Sequence, residues 1–326
     1  MLEEGGETMK KQILFAVDGS SKCMQAAAGL AQLVCDQHDY QFQLLHCSPR
    51  QTALRPGELW DADRSIAFAR KEQDEQADQF FAATVSVLQE NGITADRIQM
   101  GIQYNSTDPG SEILDTAKKQ RIQTIAVARR GRTQAQSLLL GSISSRVAQY
   151  AENRTVWVVD APLNRTRKAL VAVEGAPECR ALTYYAAEWI AAIPELRYTL
   201  LHLLPRVPPT LWDDGHILDP EEGRRREQTR QDWRAEWTRK VEKFMDEARH
   251  ALIHGGVPEN RIETRIENVH EGVAMDLLSE LERGQYQLML MGKRSFLRNK
   301  PFLLGSHANK ILFNARSTIL GLVDAS

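Results

Sequence analysis

Cysteine is scarce in this chain and poorly spaced for chemistry. Four cysteines occur in 326 residues (Cys23, Cys35, Cys47 and Cys179), with no C-x-x-C pair and mostly apolar neighbours. That fits packed, reduced thiols and argues against a disulfide or zinc framework. No apolar run approaches the ~18 residues that cross a bilayer. The start, Met1-Leu2-Glu3-Glu4-Gly5-Gly6-Glu7, is acidic where a secretory signal would be basic. The expectation is a cytoplasmic chain with no membrane role. Excess charge is also missing: 41 Lys and Arg stand against 43 Asp and Glu, a net charge of −2, which gives no electrostatic footprint for nucleic acid. Enzyme signatures are absent as well. G-x4-G-K-[ST] fails because Gln287 stands where a glycine would precede Gly292-Lys293, and G-x-S-x-G, H-E-x-x-H and G-x-G-x-x-G do not occur.

What is present is glycine at regular places. Ile125-Ala126-Val127 reads as the end of a buried strand, followed by Ala128-Arg129-Arg130-Gly131, nine residues, and Gly141-Ser142-Ile143-Ser144 at the start of a helix. A glycine loop opening a helix suits an anion, because the first turn leaves N–H donors unpaired and the dipole adds partial positive charge. The arrangement recurs: Leu288-Met289-Leu290-Met291 is strand-like, then come Gly292-Lys293-Arg294-Ser295, nine residues, and Gly305-Ser306-His307-Ala308.

The whole chain follows this repetition. Ile13–Val17 is a buried-strand run closed by Asp18-Gly19-Ser20-Ser21, a helix capped by Ser20 or Ser21 runs to about Gln37, and Phe42–Cys47 is a second strand. Ala169–Val173, Glu174-Gly175, a helix to about Ile193, and Tyr198–Leu203 repeat it. Asp18 to Glu174 and His46 to His202 share an offset of 156, while Gly92 to Gly256 and Gly141 to Gly305 share 164, so the second copy carries eight extra residues within 213–243. Long polar helices are expected over 64–89 and 221–254, shorter ones over 110–119 and 272–281, and Leu59-Trp60-Asp61 answers Leu211-Trp212-Asp213. Alternating strands and helices imply a mostly parallel α/β sheet covered on both faces, with its ligand crevice at the carboxyl ends of the strands. A chain of this length, internally duplicated, divides into two domains: a leader over 1–10, then 11–161 and 166–326.

Asp18 after the first strand, together with A-x2-G-x9-G-S from Ala128 to Ser142, resembles the nucleotide-binding pattern of the universal stress protein family, written G-x2-G-x9-G-[ST]. The resemblance covers nearly the whole chain, twice. It implies two Rossmann-like domains of the adenine nucleotide α-hydrolase type, each a five-stranded parallel sheet with helices on both faces. In one branch of the family it also implies ATP, or the related ADP or AMP, with Mg²⁺. Carried over by position, Asp18 would contact the adenosine part, Cys47 and Val127 would line the base, and Ala128, Gly131, Gly141, Ser142, Ile143 and Ser144 would lie along ribose and phosphates. The matched positions of the second copy are Glu174, Leu203, Met291, Gly292, Ser295, Gly305 and Ser306. That copy departs from the pattern at Glu174, at Ser295 in place of the second glycine, and at His307-Ala308, so the first copy is expected to be the better site. Ala128, in place of the first glycine, matters only if that residue needs positive φ.

The implied role is a nucleotide-binding regulatory or sensor module in stress adaptation, with any hydrolysis slow and incidental. The copies are expected to pack as a pseudo-twofold dimer sharing the edges Val156–Val159 and Leu320–Val323, and two chains to associate again.

Plainer readings stand beside these. Asp18 can be a turn residue, and His46 and His202 are more naturally hydrogen-bonded structural histidines. His250 and His254 are spaced i, i+4 without a third metal ligand. Arg224-Arg225-Arg226 with Arg230, Arg234 and Arg239 is interleaved with acids, as on a solvated helix or a partner surface. A ligand-free interaction module using the 213–243 insertion, or an enzyme acting on adenylated or phosphorylated small molecules, are the alternatives. In the ligand-free case Gly131→Val leaves function intact; in the nucleotide case it abolishes ATP retention, read as nucleotide released on heat denaturation.

Overall fold

The computed structural model describes residues 10–50, 62–129, 141–175, 179–205, 220–293 and 304–324. Residues 1–9 of the expected leader, Gly131, Ser295, Trp60 and Trp212 lie outside them. Strand β1 (Lys11–Ala16) shows why the apolar runs do not alternate with polar residues: Ile13, Leu14 and Phe15 are all fully buried, so both faces of the strand are covered. Ile13 and Phe15 join the core under one set of helices, and Leu14 joins the core under the other.

The first half continues with α1 (Ser21–Val34), β2 (Tyr40–Pro49), α2 (Ala62–Glu90), β3 (Ile98–Ser106), α3 (Pro109–Lys119), β4 (Thr124–Ala128), α4 (Ser142–Tyr150) and β5 (Thr155–Val159). The second half repeats the order: β6 (Lys168–Ala172), α5 (Cys179–Tyr185), β7 (Arg197–Leu204), α6 (Pro220–His254), β8 (Ile262–Asn268), α7 (Val273–Gly284), β9 (Leu288–Gly292), α8 (Ser306–Asn314) and β10 (Ile319–Val323). Ser20 caps α1 by accepting from the Cys23 N–H at 3.1 Å. That helix stops at Val34, three residues short of the expected end.

Among the described residues ten strands form one sheet, ordered β3-β2-β1-β4-β5-β10-β9-β6-β7-β8. Pairing is parallel within each half, and the halves meet at one antiparallel pair, where Ile319 opposes Val159 and Leu322 opposes Val156. The five strands of each half are thus not a separate sheet but half of a continuous one. The outer edges are β3, which exposes Met100, and β8, with Glu263, Arg265 and Glu267 along it.

Beside the β5–β10 pair, Asp160 accepts the Ser317 N–H and Asp324 accepts the Asn153 N–H, each at 2.9 Å. Both partners are shifted by 164 residues, so the two contacts are equivalent.

One departure from the repeat is local. Where a helix is expected to run to about Ile193, α5 ends at Tyr185 and the next turn, Ala186–Ile190, widens to a π-helix. Trp189 there stacks on Tyr185 and meets Tyr40 of the first half edge-on, while its indole N–H donates to Gln123 at 3.1 Å. Aromatic contact across the halves accompanies the changed helix register.

Gly321 on β10 pairs with the fully buried Trp157 on β5, and a Cβ there would lie 2.3 Å from Leu290. Gly321→Val is therefore expected to destabilise the protein by about 1–3 kcal/mol through overpacking, measured by chemical denaturation.

Candidate functional site

After β1 the Val17 N–H bonds to the Leu45 carbonyl, and the chain then turns at Asp18-Gly19. Asp18 is exposed, and its Oδ1 accepts the Ser20 N–H at 3.0 Å, an Asx turn. Gly19 has φ +71°, and a Cβ on it would meet the Phe80 ring at 2.2 Å. Both facts require glycine at the rim of the crevice.

The carboxyl ends of β1, β2 and β4 open onto a cleft of about 620 Å³, part of it open to solvent. It is lined by Asp18, Cys47, Val127, Ala128, Gly141, Ile143 and Ser144, and also by Ala16, Val17, Leu45, His46, Pro109 and Ile113. The latter come from the end of β1, the interior of β2 and the first turns of α3, which the glycine pattern does not mark.

Gly141 is the N-cap of α4 and offers no side chain to it. The first N–H to pair within the helix is that of Ser145, with the Gly141 carbonyl, so the N–H groups of Ser142, Ile143 and Ser144 have no partner inside it. Ser142 is exposed and does not line the cleft; the Ser144 hydroxyl donates to the Ala128 carbonyl at 3.0 Å, tying the helix start to β4. Ala128 lies in the strand, opposite Val159, and is not among the residues of positive φ, so alanine costs nothing there.

Two of the lining groups, His46 and Cys47, and the nearby Asp108 have defined partners. His46 Nδ1 lies 2.8 Å from the Val17 carbonyl, so this nitrogen carries the proton and donates; Nε2 is shielded and without a hydrogen-bond partner. Asp108 caps α3 through the N–H and hydroxyl of Ser111 and pairs with Arg146 at 2.6 Å. Burial opposes its ionisation, but the Ser111 bonds and the Arg146 charge hold its carboxyl below the usual range. Burial, reinforced by the Glu112 carboxylate, pushes the Cys47 thiol up to about 12. Arg129, a nearby cation in the motif, is not directed into the cleft: it is buried, and it donates to the Ala315 and Phe313 carbonyls of the second half.

The second half repeats the scaffold with bulkier walls. His202 Nδ1 lies 2.7 Å from the Val173 carbonyl, and burial lowers its pKa. Leu203 stands for Cys47 and Met291 for Val127. Gly292 ends β9, Glu174 is half-buried after β6, and Gly305 caps α8 ahead of an exposed Ser306. Ala308 replaces Ser144 and supplies no hydroxyl to tie α8 to β9. Gly131 and Ser295 fall outside the described residues; of the first-half positions, Asp18, Cys47, Val127, Ala128, Gly141, Ile143 and Ser144 line one cleft and Ser142 does not.

The family model of the universal stress protein family matches residues 9–160 and again 165–320. The chain belongs to the universal stress protein family. "Universal stress protein YxiE" of Bacillus subtilis is 26% identical over 147 residues, 43% of this chain and 93% of that protein. Two solved structures share the fold over nearly the whole chain. A universal stress protein from Archaeoglobus fulgidus has a TM-score of 0.64 at 15% identity, covering 97% of this chain and 99% of its own. A protein of Pseudomonas aeruginosa described as functionally unknown, PA1789, has a TM-score of 0.62 at 13% identity, covering 98% and 94%.

Cys23 is likewise pushed up to about 12 by burial, with the Asp18 charge adding to it. Both thiols stay protonated in the folded protein well above the ordinary cysteine range near 8.5. Alkylation of Cys23 and Cys47 at pH 8.5 is expected to be slow in the native state and fast in urea, read by mass spectrometry. Because the unfolded thiols ionise first, stability is full below about pH 8.5 and is lost as pH rises toward 12.

Proposed function

We propose that the first cleft of this universal stress protein binds an adenine nucleotide, ATP or the related ADP or AMP with Mg²⁺, and that the chain serves as a cytoplasmic regulatory or sensor module in stress adaptation. One observation carries the reading: a cleft with apolar walls at one side, the uncapped N-terminus of α4 at another, and a carboxylate at the rim. Each feature matches one part of the ligand. Leu45, Cys47, Ile113 and Val127 suit the flat, weakly hydrated faces of a base. Asp18 suits ribose hydroxyls, which donate to a carboxylate. The N–H groups of Ser142, Ile143 and Ser144 suit phosphate oxygens, with Gly141 leaving room for close approach; Gly131, outside the described residues, belongs to the same motif. Any hydrolysis is slow and incidental.

The second half, with Glu174, Leu203, Met291, Gly292, Ser295, Gly305 and Ser306, is the weaker site, because Leu203 and Met291 occupy space that Cys47 and Val127 leave open. The two halves form a pseudo-twofold dimer within one chain, and two chains associate again.

A second role in protein binding is favoured by α6. This helix is about 52 Å long, yet its buried residues, Val241, Met245, Ala248 and Leu252, all lie in its C-terminal part. Trp237, stacked on Trp233, still packs against the core; the part before them, with the exposed Arg224 and Arg225, is available to a protein partner.

The experiment is to heat-denature freshly purified protein and quantify released nucleotide by ion-exchange chromatography, beside a Cys47→Leu/Val127→Met variant that gives the first half the walls of the second. Expected is about one nucleotide per chain, lost in the variant. No nucleotide released, and none bound on adding ATP with Mg²⁺, would sink the nucleotide reading.

A further inference from the structure

β4 and β9 each deliver a buried cation immediately after their last residue: Arg129 after Ala128 and Lys293 after Gly292, separated by the 164 residues that relate Gly141 to Gly305. Their backbones stay with their own halves. Arg129 N–H bonds to the Val159 carbonyl at 2.9 Å, and Lys293 N–H to the Val323 carbonyl at 2.8 Å. Their side chains cross the β5–β10 junction in opposite directions. Lys293 Nζ donates to the Ala151 carbonyl, the C-cap of α4, and Arg129 donates to the Ala315 carbonyl, the C-cap of α8, 164 residues on.

A helix end leaves carbonyls without intrahelical partners, and Ala151 is fully buried, so water cannot supply one. The donor comes from the other half. A cation is the favoured donor there, since the carbonyl end of the helix carries partial negative charge. Helix α4 has only nine residues, about 14 Å, and so moves as one rod: what holds its C-terminus sets where its N-terminus stands in the first cleft. The Asp324 bond to the Asn153 N–H, just beyond α4, is a second hold from the same half.

We propose that Lys293, in the second half, is a positioning residue for the first half's cleft, fixing α4 from behind so that the Ser142–Ser144 N–H groups face the ligand. As far as it concerns nucleotide affinity, this rests on the adenine-nucleotide reading above. The first half alone lacks the hold. The weaker second site then has a use to the first even when empty, through a residue at the base of its own loop.

The test compares the full chain with Lys293→Met, Lys293→Arg and a stability control, Tyr198→Phe, which removes a second-half hydroxyl bonded to the Ile190 carbonyl and not touching α4. Two quantities are read: amide hydrogen exchange over Ser142–Tyr150, and ATP affinity with Mg²⁺ well below the unfolding temperature. Lys293→Met is expected to speed exchange in α4 and weaken ATP binding about fivefold or more. Lys293→Arg restores both to within about twofold, and Tyr198→Phe leaves both at that level. Faster exchange with unchanged ATP affinity would overturn the positioning role, and unchanged exchange would overturn the hold itself. If Lys293→Met does not fold, Lys293→Gln replaces it, with smaller changes in the same direction expected and unchanged values overturning the proposal. If the wild-type chain binds no ATP, the nucleotide reading fails, and the hold stands or falls on exchange alone.

Discussion

The hydrogen-bond ladder between Thr155–Val159 and Ile319–Val323 is the constraint on which the rest of this universal stress protein depends. Each strand is buried along its length and apolar but for Thr155, and each ends a parallel five-strand unit that would otherwise present unpaired N–H and carbonyl groups along a hydrophobic edge. Joining the two edges antiparallel satisfies both at once and converts two marginal surfaces into the middle of a ten-stranded sheet. The indole of Trp157 sits over the space Gly321 leaves, and the carboxylates of Asp160 and Asp324 take up backbone N–H groups on opposite sides.

From that junction outward, the sheet positions the chemistry. In each half the first strand is flanked by the second and fourth, so the chain leaves the sheet in opposite directions on either side of it, and a crevice opens at their carboxyl ends. The Asp18-Gly19 turn forms one wall, held by the Asx bond and by Phe80 packed against a glycine. The opposite wall is the start of α4, held in front by Ser144 bonded to the Ala128 carbonyl and behind by Lys293. The half-sites differ chiefly in side-chain volume along the floor and in whether a hydroxyl ties helix to strand.

Much of this was legible in the amino-acid sequence. Uninterrupted runs such as Ile13–Val17 mark strands buried on both faces, and the offsets of 156 and 164 expose the duplication and locate the additional residues. Those signals are local, or depend only on counting. The glycine pattern also gathers residues that do line one cleft, from Asp18 to Ser144. What could not be read depends on long-range contact. Nothing beside the glycine loop says where the Arg129 side chain goes; its guanidinium answers a carbonyl 186 residues away. The π-turn after Tyr185 goes with Trp189 meeting Tyr40 and Gln123 of the other half, contacts that no periodicity within α5 encodes. His46 and Leu45 complete the cleft from within a strand whose pattern reports only burial.

Fusion of two like units has a further consequence at the far ends of the sheet. A dimer of identical subunits would present the same outer strand twice, so any change to one edge would alter both. Here the edges have separate codons and different characters. β8 carries Glu263, Arg265 and Glu267, with Arg265 paired to Glu267 and Glu280, a charged border that discourages strand addition. β3 instead exposes Met100 beside Gly101. The molecule is therefore polar in the geometric sense: among the described residues, one border of the sheet is charged and the other presents an apolar side chain.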